Sequence, residues 1–174
     1  MNKESKKSSL MKRINVGKVV VNIGVGKSGD LLEKAKRALQ EITGQKPSVR
    51  GAKKTVRDFG IHKGEPIAAM VTLRRNMAID FLKKAITAKG NILRTGAFDN
   101  FGNVSLGIRE HIDIPGIKYN PEIGIFGMNV SIALTRPGYS IAKSRDRKSI
   151  GQKHRISKED AIEFFKQNFG VDII

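Results

Sequence analysis

The cations of this chain are concentrated in two segments that contain very few acidic residues. The first segment, residues 43–75, includes only the acids Asp58 and Glu65, and the second, residues 136–158, includes only Asp146. The cations are Lys46, Arg50, Lys53, Lys54, Arg57, Lys63, Arg74 and Arg75 in the first, and Arg136, Lys143, Arg145, Arg147, Lys148, Lys153, Arg155 and Lys158 in the second. Because ordinary solvated surfaces mix the two signs of charge, these segments are typical of surfaces that bind nucleic acid.

The composition of the whole chain favours the same kind of partner. The formal net charge of +17 attracts polyanions. An anionic membrane surface is the alternative, but membrane binding needs bulky anchors on a basic amphipathic helix, and the chain has no Trp. No apolar run is long enough to span a membrane, and the basic N-terminus lacks the apolar part of a secretory signal. The absence of Cys excludes disulfides and Cys-ligated metals and agrees with a cytoplasmic location.

A glycine-rich turn, GVGKSG at residues 24–29, has the spacing of a dinucleotide-binding fingerprint. That fingerprint also requires an acidic residue after a second parallel strand, where this chain is basic. A P-loop is excluded because its first glycine would fall on Val21, inside a predicted strand. We therefore favour a tight turn over a nucleotide-dependent enzyme, with the turn amides and Lys27 available to one RNA phosphate.

No arrangement of side chains points to catalysis or to a metal. His62, His111 and His154 do not share the spacing of a metal site. Glu110 and His111 would face opposite sides of a strand, so we expect solvated positions or a loop hydrogen bond there. The sequence therefore predicts no catalytic residues, no cofactor and no metal, which leaves a binding role.

Hydrophobic periodicity predicts strands and helices in a mixed order. Strands are expected at residues 16–25, 68–74, 104–112 and 128–134, with a further short strand early in the first basic segment. Helices are expected at residues 31–42 and 77–89, the first capped by Asp30 with Glu33 and ended by Gly44. Met77 is expected on the apolar face of the second helix. A third helix begins after Ser157, ends at Gly170 and buries Phe165.

The predicted fold class is α+β: an antiparallel β-sheet with α-helices packed on one face, plus a basic C-terminal extension ending in a helix. Three parts are expected, namely a flexible basic arm at residues 1–13, the binding domain at 14–135, and the extension with its helix, packed on the same domain, at 136–174. Residues 136–158 lack a periodic apolar pattern, so we expect a loop that orders on RNA. Phe98 and Phe101 are assigned to the core rather than to a base-stacking surface.

Several longer motifs in the chain match one family in order. They are VNIGVG at 21–26, TGQKP at 43–47, AKK at 52–54, FGIHKGEPI at 59–67 and VTLR at 71–74, followed by FDNFGNVSLGIREHI, IPGIKY and IFGMNV. Across residues 14–136 the chain resembles the large-subunit ribosomal protein five family, which binds 5S rRNA in the central protuberance. The extension is similar to that of the archaeal and eukaryotic branch, and the Lys-rich, Cys-free composition favours an archaeal member.

The resemblance implies a structural constituent of the large ribosomal subunit, cytoplasmic and without catalytic activity, that binds 5S rRNA and helps to attach it. Membranes and small-molecule substrates are not implied as partners. The implied partners are 5S rRNA, 23S-type rRNA, P-site tRNA, large-subunit protein eighteen and small-subunit protein thirteen. A free-standing basic nucleic-acid chaperone remains the alternative that the charge alone would allow.

The resemblance also assigns residues to these contacts. Contact with 5S rRNA is expected from Asn22, Gln45, Lys46, Thr72 and Arg74. Contact with P-site tRNA is expected from Lys54, Arg57, Phe59 and Lys63, and contact with the small-subunit head from Asp113, Lys118 and Glu122. Within the extension, rRNA contact is expected from Lys143, Arg145, Arg147, Lys148, Lys153 and Arg155. One departure is Arg75–Asn76, where many members have Gly–Glu, and only a local change at the helix start is expected.

Overall fold

Five strands form one antiparallel sheet. The computed structural model describes residues 10–146 and 148–174, so predictions for residues 1–9 and for Arg147 lie outside the described residues. The strands of the sheet are β1 (Asn15–Gly24), β2 (Ser48–Gly51), β3 (Pro66–Leu73), β5 (Val104–Ile108) and β6 (Met128–Thr135), and their order across it is β2–β3–β1–β6–β5. Two short strands, β4 (Ile92–Leu93) and β7 (Asp172–Ile173), pair in parallel beside it. The predicted α+β fold is confirmed.

Three helices cover one face of the sheet: α1 (Asp30–Thr43), α2 (Arg75–Ala88) and α3 (Lys158–Phe169). Alternate residues of β1, among them Val19 and Val21, are fully buried in the same core as Leu39 of α1 and Leu82 of α2. Helix α3 adds Phe165, which is fully buried and whose ring centroid lies 5.7 Å from that of Phe98 in an edge-to-face arrangement. Helix α3 therefore contributes its apolar face to the same core.

The two ends of α1 differ in how well the sequence predicted them. Gly44 adopts a left-handed conformation, as predicted, and its N–H bonds to the Gln40 carbonyl. The cap assigned to Asp30 was wrong, because Gly29 occupies the N-cap position with φ of 103° and no side chain caps the helix. Asp30 and Glu33 lie in the first turn instead, where negative charge favours a helix N-terminus. Glu33 bonds to Lys36 at 2.8 Å rather than to the backbone.

Helix α3 has the predicted cap. The Ser157 hydroxyl accepts the Asp160 N–H at 3.1 Å, and the Asp160 carboxylate accepts the Ser157 N–H at 3.1 Å. These reciprocal bonds satisfy two backbone donors that a helix start leaves unpaired. Gly170 ends the helix in a left-handed conformation.

Helix α2 begins two residues earlier than predicted. Met77 and Phe101, which were expected in the core, are exposed. Met77 is 44% exposed, because it lies in the first turn of α2 at the rim of the groove against α1. Phe101 is 62% exposed, because the tight loop closed by the Asp99 N–H and the Asn103 carbonyl directs Gly102 inward in its place. A Cβ on Gly102 would lie 2.5 Å from Cγ2 of Ile156, so no side chain fits there. Phe98 is buried as predicted.

Candidate nucleic-acid interface

The face of the sheet opposite the helices, called the open face below, carries the polar strand residues. Strand alternation sends Val19, Val21 and Ile23 into the core and the residues between them to the open face. The antiparallel register then extends two rows of side chains across neighbouring strands. One row is Ser48, Met70, Asn22, Asn129 and Gly107; the next is Thr72, Val20, Ser131 and Ser105.

Three of the residues expected to contact 5S rRNA share this open face. Asn22 lies directly opposite Met70, and Thr72 lies directly opposite Val20. Both side chains are partly exposed. Arg74 follows β3 in an extended conformation, with φ of −140° and ψ of 162°, so alternation places it on the same side as Thr72. The sheet therefore places a neutral amide, a hydroxyl and a cation on the same face of two neighbouring strands.

The other two expected residues lie in the turn between α1 and β2. The Gln45 side-chain amide approaches Sδ of Met77 at 3.3 Å, so it lies against the start of α2, three residues after Arg74. Lys46 is exposed and lies two residues before Ser48, which is part of the first row of the open face. The cations at positions 46 and 74 thus border the same edge of the open face.

The connection between β2 and β3 carries the residues expected to contact tRNA. Its stem is held by the Ala52 N–H to the Glu65 carbonyl at 2.8 Å and by a bridge between Val56 and Ile61. Beyond the stem the chain turns over at residues 57–60, and all of residues 53–60 are exposed. The four side chains expected to contact tRNA, Lys54, Arg57, Phe59 and Lys63, are all exposed, and Phe59 is 73% exposed.

Glu65 fixes the base of this connection. Its carboxylate accepts the His62 N–H at 3.0 Å and the Ser28 hydroxyl at 3.0 Å. The His62 backbone N–H and then the Ser28 hydroxyl lower the pKa of Glu65 below its ordinary value, because both bonds favour the ionised form. Glu65 thereby joins the connection to the glycine-rich turn.

The glycine-rich turn does not form a dinucleotide site. The N–H groups of Val25 and Gly26 both bond to the Ile67 carbonyl, at 2.9 and 3.0 Å, so they are not available to a phosphate. The strand beside it, β3, is antiparallel, whereas the dinucleotide fold needs a parallel neighbour. The Glu65 carboxylate on Ser28 also disfavours an anion at this turn. The prediction of a tight turn is confirmed. An RNA phosphate at this turn could still bind Lys27, but the N–H groups of Val25 and Gly26 would not be available to it.

The long connection between β5 and β6, residues 109–127, carries Asp113, Lys118 and Glu122, which are all exposed. Its two ends are joined at His111, whose N–H donates to the Phe126 carbonyl at 3.0 Å and whose Nδ1 accepts the Phe126 N–H at 3.3 Å. The expected loop hydrogen bond of His111 is therefore confirmed. The expected solvation is not found for this side chain, which is only 3% exposed. The connection is therefore a fixed structure that presents both signs of charge.

Two contacts join the first residues of the extension to the segment around the start of α3. Arg136 donates to the Asp160 carboxylate at 2.9 Å, and the Tyr139 hydroxyl accepts the Ile156 N–H at 2.8 Å. Between these attachments the cations expected to contact rRNA are exposed, namely Lys143, Arg145, Lys148, Lys153 and Arg155; Arg147 lies outside the described residues. Arg136 itself is not a surface cation, since its side chain is only 9% exposed.

Sequence reasoning missed the part of the open face that lies on β5 and β6. Asn129 lies directly opposite Asn22, and Ser131 lies directly opposite both Val20 and Ser105. These polar residues alternate with the buried Met128, Val130 and Ile132 along the strand MNVSIALT. That alternation was visible in the sequence, but only the strand register shows which residues are neighbours.

Two classes of site are not found in the part of the chain that the structure describes. Within residues 10–146 and 148–174, no three side chains of the kinds that bind metals are close enough to hold an ion. Over the same residues, no helix is both long and apolar enough to cross a bilayer.

Known proteins match the chain over nearly its whole length. Residues 9–62 match the family described as Ribosomal protein L5, and residues 66–166 match the model of the C-terminus of that ribosomal protein family. The protein "Large ribosomal subunit protein uL5" of Nitrosopumilus maritimus is 54% identical over 166 residues, which cover 95% of this chain and 96% of that protein. Its counterparts in Sulfolobus acidocaldarius and Pyrobaculum aerophilum are 52% and 51% identical, covering 98% and 94% of this chain and 97% and 92% of their own lengths. The chain therefore belongs to the ribosomal protein L5 family, as a structural and non-catalytic component of the large ribosomal subunit.

Proposed function

We propose that the chain binds 5S rRNA through the open face of its sheet and helps to attach that RNA in the central protuberance. The observation that supports this most directly is the shared face of Asn22, Thr72 and Arg74, bordered by Lys46. Asn22, Lys46 and the pair Thr72 and Arg74 come from three segments that are far apart in sequence, and none of these side chains contributes to the core. Their convergence on an uncovered face calls for a partner outside the chain.

The chemistry of the face suits a folded RNA. Lys46 and Arg74 offer charged donors to phosphates, which give affinity without reading sequence. Asn22 and Thr72 are neutral and only partly exposed, and they suit the 2′-hydroxyls of a wide, shallow minor groove. The net charge of +17 adds long-range attraction. The proposed contact is therefore one of shape and backbone rather than of stacked aromatics.

The connection between β2 and β3 is the proposed contact with P-site tRNA. Its exposed cations include Lys54, Arg57 and Lys63, and the ring of Phe59 is exposed on the same connection. The cations suit a phosphate backbone, and the ring suits a base or a ribose. The bonds around Glu65 hold the stem, so the tip would be presented at a fixed position.

The remaining contacts are proposed on the same grounds of charge and exposure. The connection at residues 109–127, with Asp113, Lys118 and Glu122, would meet small-subunit protein thirteen in the small-subunit head. The exposed cations of the extension would lie on 23S-type rRNA. Large-subunit protein eighteen is proposed as a neighbour on the shared 5S rRNA.

Binding to a 5S rRNA transcript in a filter assay tests the proposal, with a structured RNA of equal length as the control. If roughly six to ten phosphates are neutralised, affinity should fall about a thousandfold or more between 50 and 200 mM salt. Equal affinity for both RNAs would favour the free-standing chaperone instead. Sedimentation also distinguishes a ribosomal protein from a free-standing chaperone, because a chaperone would not migrate in stoichiometric amount with the large subunit.

A further inference from the structure

A shallow depression of about 430 Å³ lies on the open face, outside the residues assigned to 5S rRNA. It is bounded by β1, β6 and β5 and by the segment that precedes β5. Val20 of β1 lines it and also lies directly opposite Thr72 on β3. Because neighbouring strands are about 4.8 Å apart, Ser131 in the depression lies roughly 10 Å from Thr72. An RNA that contacts Thr72 would therefore reach the depression.

The lining of the depression differs in chemistry from the cationic edge of the face. Its floor is aliphatic, from Val20, Ala97 and Ala133, which are partly exposed. Two hydroxyls, those of Ser105 and Ser131, lie directly opposite each other across β5 and β6. Neither hydroxyl has a hydrogen-bond partner among the residues that the structure describes. The floor can thus cover a flat apolar ring, while the hydroxyls remain free to bind a polar group.

The charges at the rim nearly cancel. Lys18 supplies one cation and Asp99 one anion. Asp99 is also part of the rim structure, since its carboxylate accepts the Asn100 N–H at 2.6 Å and the Asn103 side-chain amide at 3.4 Å. A phosphate gains little at such a site compared with the edge near Lys46 and Arg74. The uncharged portion of a nucleotide fits its chemistry better.

We propose that this depression binds one unpaired ribonucleoside of the RNA that lies on the open face. The aliphatic floor receives the base, and the Ser105 and Ser131 hydroxyls bond to the ribose. This inference rests on the proposed function, because the nucleoside reaches the depression only as part of an RNA held by the neighbouring strands. A volume of about 430 Å³ falls in the range of pockets that bury a small ligand.

Acylation of 2′-hydroxyls in 5S rRNA, with and without protein, tests this directly because it reports unpaired nucleotides one by one. The wild-type protein should protect a set of unpaired nucleotides. A Ser105→Ala/Ser131→Ala double variant should restore the reactivity of one or two adjacent nucleotides in that set and leave the others protected. Ala133→Leu, which fills the depression, should restore the same nucleotides. Two lost neutral hydrogen bonds should weaken overall binding by roughly 5- to 150-fold.

Thr87→Ala serves as the control, because it removes an exposed hydroxyl from α2 on the covered side of the sheet; its footprint should match the wild type. Thermal unfolding checks that each variant remains folded, which the exposed positions of both serines lead us to expect. If both test variants keep the wild-type footprint and the wild-type affinity, the inference is overturned while 5S rRNA binding stands. This result is expected if a protein segment, and not RNA, occupies the depression. No protection by the wild-type protein would overturn the proposed function and this inference together.

Discussion

Nη2 of Arg136, just after β6, lies 2.9 Å from Oδ2 of Asp160 in the first turn of α3. The same carboxylate oxygen accepts the Ser157 N–H, and Nη1 of Arg136 donates to the Arg155 carbonyl at 3.1 Å. One guanidinium therefore joins the end of β6 to the Arg155 carbonyl just before α3 and to the cap of that helix. A cation that the sequence assigned to the RNA-binding surface instead stabilises the fold.

Replacing Arg136 with alanine should lower the free energy of unfolding. The variant loses charged hydrogen bonds to Asp160 and Arg155 from a side chain that is 9% exposed, which costs about 1–3 kcal/mol. Denaturant unfolding measures the loss. Arg145→Ala is the matched control, since this exposed arginine should change stability by less than about 0.5 kcal/mol. Equal effects of the two variants would show that the Arg136 contacts contribute nothing to stability.

The cap of α3 should weaken in acid. Burial raises the pKa of Asp160, but the Ser157 N–H and then the Arg136 guanidinium outweigh it, so the pKa lies below its ordinary value. A carboxyl with a lowered folded pKa stabilises fully above its unfolded pKa of about 3.9 and loses that contribution as pH falls through the folded value. Unfolding measured at pH 7, 5 and 3 should show this loss. Asp160→Asn should be less stable at pH 7 and lose less on acidification; a wild-type acid profile in that variant would contradict the assignment.

The strands and helices could be predicted because each has a clear period, but contacts between distant segments could not. The family resemblance, and not the periodicity, assigned Asn22 and Thr72 to an RNA-binding surface. That they lie on adjacent strands follows only from a register between segments fifty residues apart. The two-residue strands β4 and β7 are too short for any period. Asp30 met every local rule for a cap, yet the sharp turn at Gly29 excluded it.

Substitution of Arg74 or Lys46 with alanine should weaken 5S rRNA binding by about 1.5–3 kcal/mol, as expected for charged hydrogen bonds. Both side chains are exposed and border the open face, so the melting temperature should stay unchanged. Arg37→Ala is the control, because Arg37 is an exposed cation on α1 on the other side of the sheet. If Arg37→Ala weakens binding equally, net charge and not the open face determines affinity. If the test variants unfold, these residues are structural.

Arg75, the first residue of α2, adopts a left-handed conformation with φ of 54°. This conformation costs a non-glycine residue roughly 1–2 kcal/mol, partly offset by the greater flexibility of glycine in the unfolded chain. Arg75→Gly should therefore raise the free energy of unfolding by about 0.5 kcal/mol. Asn91→Gly is the control, because Asn91 also has a positive φ, of 59°. Asparagine tolerates this conformation better than arginine does, so Asn91→Gly should raise the free energy of unfolding by less. Destabilisation by Arg75→Gly would show that the arginine side chain makes a compensating contact.

The middle of the extension should be the first part of the free protein to be cut by trypsin. The Tyr139 hydroxyl donates to the His154 carbonyl at 3.3 Å and accepts the Ile156 N–H at 2.8 Å, so it closes a loop between residues 139 and 154. Inside that loop, Lys143, Arg145, Lys148 and Lys153 are exposed, and the mutual repulsion of these cations opposes close packing. Phosphates would remove the repulsion, and counterion release would offset the entropy lost on ordering.

Limited digestion of free protein and of assembled large subunits tests this prediction. Cleavage of the free protein should begin between Lys143 and Arg155, and assembled subunits should be protected there. Tyr139→Phe removes only the hydroxyl and leaves the buried Ile156 N–H without its partner, so cleavage of the free variant should be faster than that of wild type. Phe59→Leu, remote from the extension, should keep the wild-type rate. Equal resistance of the free and assembled proteins would mean that the extension packs fully on its own domain, and its exposed cations would then need another explanation.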